Sequence, residues 1–352
     1  MDTDKNRRRF HLLPLSVFIC APSVALFLCL VGCDRSGGGG QSVVLYTSVD
    51  EPVARPIVRE FTQRTGIDVV IRTDTEANKS AGLAARLEAE KSNPQADVWW
   101  GNEVFRTIRL ADAGVLAPYD SPSAADIPPL LKDPSHLWAG NGQRARVLVI
   151  NSDRLTKTAV LPNQSIRDLA RPEVKGLVAI ADPRAGTTSG HVAALYVLWG
   201  EEKARQFFHA LHDNGCKVLG GNGDVAAEVA KGTIAAGLTD NDDVENMQRE
   251  GAPAGMILPD QREGGDGTLT LPCTVGLVAG AKHAAPAKKL VDYLLSAEVE
   301  RKMIDAKFAR YSVRGGAADG IKAMQVDYRD VAKVLDRAAS EAHAILVGRD
   351  GK

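Results

Sequence analysis

Aromatic residues make up only 5% of this 352-residue chain, and no Cys-x-x-Cys pair occurs in it. The first scarcity, set beside abundant Ala and Gly, argues against a β-sandwich and for a helix-rich α/β protein. The second removes the usual sequence support for thiol redox chemistry or a cysteine-based zinc site. A Gly-x-x-x-x-Gly-Lys phosphate loop is also missing, and in Gly186-Thr187-Thr188-Ser189-Gly190 the serine falls one place late for a nucleophile elbow. Charge of neither sign dominates, with 43 basic against 44 acidic residues, so nothing recommends nucleic acid or an anionic membrane surface as a partner.

Long apolar runs are confined to the start. Lys5-Asn6-Arg7-Arg8-Arg9 precedes an apolar stretch from Leu12 to Gly32, which ends on Leu30-Val31-Gly32-Cys33. This order reads as a secretory signal over residues 1–32, and its end resembles a bacterial lipobox in which Cys33 takes a lipid. Pro14 and Pro22 argue against an uncleaved membrane helix. The expected location is therefore outside the cytoplasmic membrane, tied to it by an acyl anchor, and Asp34 resembles an inner-membrane retention signal. Removing residues 1–32 leaves 39 basic and 42 acidic residues in 320, a length that suits two lobes. Residues 33–42, with four consecutive glycines, read as a flexible tether. Cys216 and Cys273 are the cysteines of the folded part, and a disulfide between them is left open by sequence.

Strand and helix then alternate. Strands are expected at 43–47, 67–72 and 97–100, with helices at 52–65, 80–92 and 104–113 between and after them. The β-prone run Arg144 to Ile150 reads as a crossing into a second lobe, where strands at 177–181, 217–219 and 233–238 alternate with helices at about 189–212 and 224–231. A second crossing run is expected at 273–279, then helices at 286–295 and 297–307. A last helix, 328–346, is expected to close on the second lobe. The fold class is α/β, with two doubly wound lobes joined by crossing strands. Lobe 1 is placed at 43–143 and 272–315, and lobe 2 at 144–271 and 316–352.

Ligands of open α/β sheets sit beyond the carboxyl ends of the strands, and four polar loops occupy such places. They contain Thr47, Ser48 and Asp50; Asn102 and Glu103; Thr187, Thr188 and Ser189; and Asp240, Asp242 and Asp243. The aspartate run offers oxygen ligands for a hard cation or an ammonium group, with helix capping as the plainer alternative. Glu245 and Gly251 at its sixth and twelfth positions exclude an EF-hand loop. Free N–H groups and hydroxyls at Gly186 to Gly190 make a ready anion site, with a hydroxyl N-cap as the alternative. Gly221-Asn222-Gly223 reads as a turn and cap, and His209 and His212 as a solvated face.

Val43 to Glu51, Phe61 to Gly66, Ala84 to Leu87, Pro94 to Trp100, Ala113 to Tyr119 and Gly237 to Asp240 together resemble ABC-transporter substrate-binding proteins of the ferric-iron class. The resemblance implies a type II periplasmic-binding fold that closes on its ligand and delivers it to an ABC permease with its ATPase. Many such relatives bind iron through adjacent tyrosinates that fall here on Asp242 and Asp243. Their histidine falls at about Asp50, a further tyrosine at about Ile150, and their glutamate at Asn102 or Glu103. What the pattern implies is no resident cofactor but a bound Fe³⁺ or other hard cation at Asp50, Glu103, Asp240, Asp242 and Asp243. A synergistic anion would be held near Thr187 to Ser189. A polyamine or thiamine-like cation is the alternative ligand, and a sensor subunit the alternative role. The protein is read as a monomer and not as an enzyme, since no paired nucleophile or histidine stands at any loop.

Overall fold

The structure is a computed structural model in which residues 41–73, 81–153, 161–314 and 320–349 are described. The signal, Cys33, Asp34 and nearly all of the tether lie outside those residues.

The first strand, β1 (Ser42–Thr47), leads into α1 (Glu51–Thr65). Pro52 suits the open first turn of that helix, and Gly66, at φ 69°, ends it by donating its N–H to the Thr62 carbonyl. Ala54, Ile57, Val58 and Phe61 recur at helical spacing and form its buried face. Next come β2 (Asp68–Arg72), α2 (Ala81–Ala89), β3 (Val98–Gly101), α3 (Phe105–Asp112) and the short β4 (Leu116–Ala117). The strand β5 (Ala139–Asn151) is buried along its whole length. Beyond it lie β6 (Val178–Ala181), α4 (Gly186–Trp199), α5 (Glu201–Asp213), β7 (Lys217–Leu219), α6 (Asn222–Ala230), β8 (Ala236–Asp240), α7 (Asn241–Arg249) and β9 (Ala254–Ile257). The chain returns through β10 (Thr270–Val278) to α8 (Ala284–Leu294) and α9 (Ala297–Asp305), and ends in α10 (Tyr328–Leu346).

The strands run in the order β2-β1-β3-β10-β5-β8-β6-β7, with β4 on β10 and β9 on β5. Pairing is parallel in β2-β1-β3 and in β8-β6-β7, as expected from the strand-helix alternation. The middle is antiparallel: β10 pairs with β3 and β5, and β5 with β8. Two βαβ halves are thus joined by long strands near residues 139–151 and 270–278, where the sequence placed its crossings, although β5 begins earlier than the β-prone run. The helix expected over 189–212 is two helices, because Gly200 at φ 81° takes a conformation that a continuing helix cannot hold. The last helix, expected on the second lobe, packs on α4 and α5 of the second half and also on α3 of the first.

Cys216 and Cys273 are free, buried thiols, each pushed up to about 12 by burial, so no disulfide joins them. His212 is not simply solvated: its Nδ1 lies 3.0 Å from the Leu346 carbonyl oxygen and ties α5 to the end of α10.

Phe61, on the inward face of α1, is buried in the core of the first half. Phe61→Ala should lower the unfolding free energy by about 3–5 kcal/mol. Urea titration checks this as a lower midpoint at unchanged slope.

Candidate functional site

The site is built on the register of β5 against β8. Arg146 pairs with Asp240 and Leu148 with Leu238, and side chains alternate between the two faces of β5. Arg144 and Arg146 therefore share a face, while Ala145 and Val147 enter the opposite core with Val225 and Val244. Both arginines are buried, Arg144 being 2% exposed, and a buried cation demands carboxylate partners.

Asp240, at the end of β8, supplies them. Its Oδ1 accepts from Arg146 Nη1 at 2.7 Å, and its Oδ2 from Arg144 Nη2 at 2.9 Å, Thr187 Oγ1 at 2.6 Å and Asn222 Nδ2 at 3.1 Å. Asp242 Oδ1 accepts from Arg144 Nη2 at 2.5 Å and Nε at 3.2 Å. Asp243 turns back to cap α7, where its Oδ2 accepts from Thr239 Oγ1 and the Asp240 backbone N–H. Burial opposes ionisation of Asp240, yet Arg144 and Arg146 hold its carboxyl down to about 2. Burial pushes Asp242 the other way, with Asp243 and Asp240 adding to the rise and Arg144 opposing it.

The loop after β6 closes the ring. Arg146 donates to Thr187 Oγ1 at 2.9 Å and to Thr188 Oγ1 at 3.1 Å, and Thr188 donates to Asn222 Oδ1. The first turns of α4, α6 and α7 converge here, and together they place partial positive charge beside Asp240. Arg144, Thr187, Asn222, Asp240, Asp243 and Asn102 from the other half line one small polar recess. Arg144 Nη1 has no hydrogen-bond partner among the described residues. A second cavity of about 600 Å³ shares Asp243 and is walled by Asp50, Asp242, Val53, Met247 and Phe308. The Arg144 guanidinium lies over the Phe308 ring at 4.7 Å.

Several residues expected at the site have other work. Asp240 and Asp242 are not bare cation ligands, because guanidiniums engage them. Glu103 turns away to cap α3, accepting from Phe105 N at 2.6 Å and Arg106 N at 3.1 Å, and burial raises its pKa. Ser189 donates to the Gly186 carbonyl within its own helix. Thr47 donates to the Trp100 carbonyl, and Ser48 to Asn102 Oδ1 at 3.0 Å, so both fix the β1–β3 edge and Ser48 orients Asn102. Ile150 is a core residue paired with Gly255. Asp50 reaches the larger cavity beside Asp242 and Asp243, and Asp240, Asp242 and Asp243 each offer an oxygen within 4.8 Å of the others. Arg144, Arg146 and Asn222 were not among the expected site residues. The alternation Arg144-Ala145-Arg146 inside a β-prone run is the signal that points to the two arginines, and Asn222 carries none of its own.

The family model for bacterial extracellular solute-binding proteins matches residues 43–306. The chain belongs to that family. It is 26% identical over 303 residues to the Fe(3+)-binding periplasmic protein of Serratia marcescens, covering 85% of this chain and 87% of that one. It is 27% identical over 303 residues to a putative 2-aminoethylphosphonate-binding periplasmic protein of Salmonella typhimurium, covering 81% and 85%. Iron-bound HitA from Pseudomonas aeruginosa shares its fold, with a TM-score of 0.75 at 23% identity over 88% of this chain and 99% of that one. The resemblance to the ferric-iron class and the periplasmic-binding fold thus both hold. No helix among the described residues is long and apolar enough to cross a membrane.

A carboxyl held low by folding contributes stability above its unfolded value, and that contribution is lost as pH falls through the folded value. For Asp240 the window runs from its ordinary 3.8 down to about 2. Urea unfolding at pH 6, 4 and 3 should show the wild type weakening across that range, and Asp240→Asn should be less stable at pH 6 with a flatter profile below pH 4.

Proposed function

We propose that this solute-binding protein is the receptor of an ABC importer and captures a solute bearing an anionic group, which it passes to a membrane permease and its ATPase. The observation that carries the ligand class is Arg144: 2% exposed, lining the polar recess, with Nη1 unpartnered. A buried guanidinium N–H left without an acceptor is costly, and an anion's oxygen is the acceptor that answers it best. Thr187, Asn222 and the first turns of α4 and α6 stand around the same recess, where helix N-termini favour negative charge. Asp50, Asp242 and Asp243 on the adjoining wall suit an ammonium group of the same solute. The 2-aminoethylphosphonate of the Salmonella relative's name has both parts.

A second reading is ferric iron bound together with an anion. It draws on the three carboxylates within 4.8 Å of one another and on the Serratia relative. Iron would then sit toward Asp242, Asp243 and Asp50, with the anion on Arg144. An organic cation with no anionic group would leave Arg144 unanswered. On either reading the chain works as a monomeric two-lobed binder, lipid-anchored through Cys33 on the periplasmic side of the membrane.

Calorimetric titration with inorganic phosphate, 2-aminoethylphosphonate and Fe³⁺ plus carbonate separates these readings. Arg144→Gln should weaken phosphate or phosphonate binding by roughly 10–150-fold, the value of a charge-assisted hydrogen bond. Asp50→Asn, on the wall of the larger cavity alone, should weaken the aminophosphonate more than inorganic phosphate, whereas Asp242→Asn with Asp243→Asn, which also frees Arg144 from a carboxylate, removes the carboxylates that ferric iron would need. If only Fe³⁺ with carbonate binds, and that double variant abolishes it, the iron reading replaces the first. An Arg144→Gln protein that folds and binds every probe as the wild type does would remove Arg144 from the site.

A further inference from the structure

The cavity of about 600 Å³ lies between α1 of the first half and α7 of the second, and it meets the polar recess at Asp243, which lines both. Its size falls in the range of about 300–1,000 Å³ typical of small-molecule sites, and an ethylammonium group alone would leave most of it unfilled. Its wall is rich in carboxyl groups, from Asp50, Asp242, Asp243, Glu250 and Asp305. Arg249 on the same wall is engaged within it, donating to Asn246 Oδ1 at 2.9 Å and to the Ala306 carbonyl at 3.3 Å. A sugar body, whose hydroxyls both donate and accept, fits so acceptor-rich a wall less well than a cation does.

The wall is also apolar in a way that a primary ammonium does not use. Val53 of α1, Met247 of α7 and Phe308 lie among the carboxyl groups. A primary ammonium must replace its hydrogen bonds to water with three to the protein. Several acceptors here are already engaged: Asp242 Oδ1 by Arg144, and Asp243 Oδ2 by Thr239 Oγ1 and the Asp240 backbone N–H. A quaternary ammonium has no N–H to satisfy. It calls for negative surroundings, an aromatic ring and soft apolar contact, which the carboxylates, Phe308 and the Met247 thioether supply. Phe308 also joins the two spaces, since it lines the cavity while the Arg144 guanidinium of the recess lies over its ring.

We infer that the solute is a phosphate or phosphonate joined by a short link to a trimethylammonium group, the chemistry of phosphocholine. The anion meets Arg144, and the methylated cation lies between Val53, Met247 and Phe308. This names the solute class of the same site and rests on the reading of Arg144 as an anion contact. The unpartnered Nη1 of Arg144 carries the anionic end, and the mixed carboxyl and apolar wall carries the methyl groups. Such a group occurs both free in solution and as the head of a membrane lipid. Arg144 is buried inside the cleft, so the free form is the one that reaches it.

Calorimetric titration of the full chain in a Cys33→Ser background with phosphocholine, O-phosphoethanolamine and inorganic phosphate tests this. Phosphocholine should bind at least roughly tenfold tighter than O-phosphoethanolamine, because each methyl fully buried tightens binding by about fourfold. Arg144→Gln should weaken both, and Val53→Thr with Met247→Gln should bring the ratio of their affinities toward one. Phosphatidylcholine vesicles should not carry the protein down on sedimentation. Equal or tighter binding of O-phosphoethanolamine, a ratio unmoved by the Val53→Thr and Met247→Gln pair, or binding to vesicles without binding to phosphocholine would each overturn the inference. The first two, with Arg144→Gln still weakening both ligands, would leave Arg144 as the anion contact. If none of the three compounds binds, the inference falls, and titration with 2-aminoethylphosphonate decides whether the role of Arg144 falls with it.

Discussion

The buried pairing of Arg144 and Arg146 with Asp240 and Asp242 is the constraint around which the site is arranged. Two guanidiniums inside a strand of the central sheet are affordable only if carboxylates meet them, and breaking a buried pair of this kind costs about 3–5 kcal/mol. Their placement follows from the period of two along β5 and from the antiparallel register that sets Arg146 opposite Asp240. Once that register is fixed, Thr187, Thr188 and Asn222 are fixed too, because each donates to or accepts from the same ion pairs. A one-residue slip would turn both arginines into the apolar core behind Ala145 and Val147.

The acidic run at 240–243 consequently does two jobs. Asp243 caps α7 by accepting from the Asp240 backbone N–H, the plainer of the two expectations, while Asp240 and Asp242 pair with arginine. Asp240 is engaged on both oxygens, whereas Arg144, which lines the recess, keeps its Nη1 without a hydrogen-bond partner among the described residues. On the proposed reading, a run of aspartates that by itself reads as a cation site thus sits beside an anion contact.

The architecture was legible because strand-helix alternation and β-prone crossing runs are local signals. Strands β1, β3, β6 and β8 end where polar loops were read, and those loops do meet. The pairings were not legible, since a side chain's partner is a tertiary fact. Glu103 follows a strand end as a ligand would, but it stands two and three residues ahead of the free N–H groups of α3 and satisfies them. Asn222 looked like turn chemistry because its partners, Thr187, Thr188 and Asp240, come from two other elements. The break at Gly200 was visible as a glycine, but Trp199 and Glu201 on either side carry helical pattern, and only the positive φ decides it.

Asymmetry links these features. On the α3–α4–α10 flank water is excluded by one shared core, and Arg146 lies toward it with His191, whose imidazole burial and the Arg146 charge push down to about 3. A histidine held neutral adds no further charge there. Low local dielectric strengthens every charged hydrogen bond made at its edge. On the α1–α7 flank the cores are separate and the wall is acidic and open to solvent. The recess stands at the boundary between the two regimes, and on the proposed reading its ligand would meet a preorganised guanidinium there.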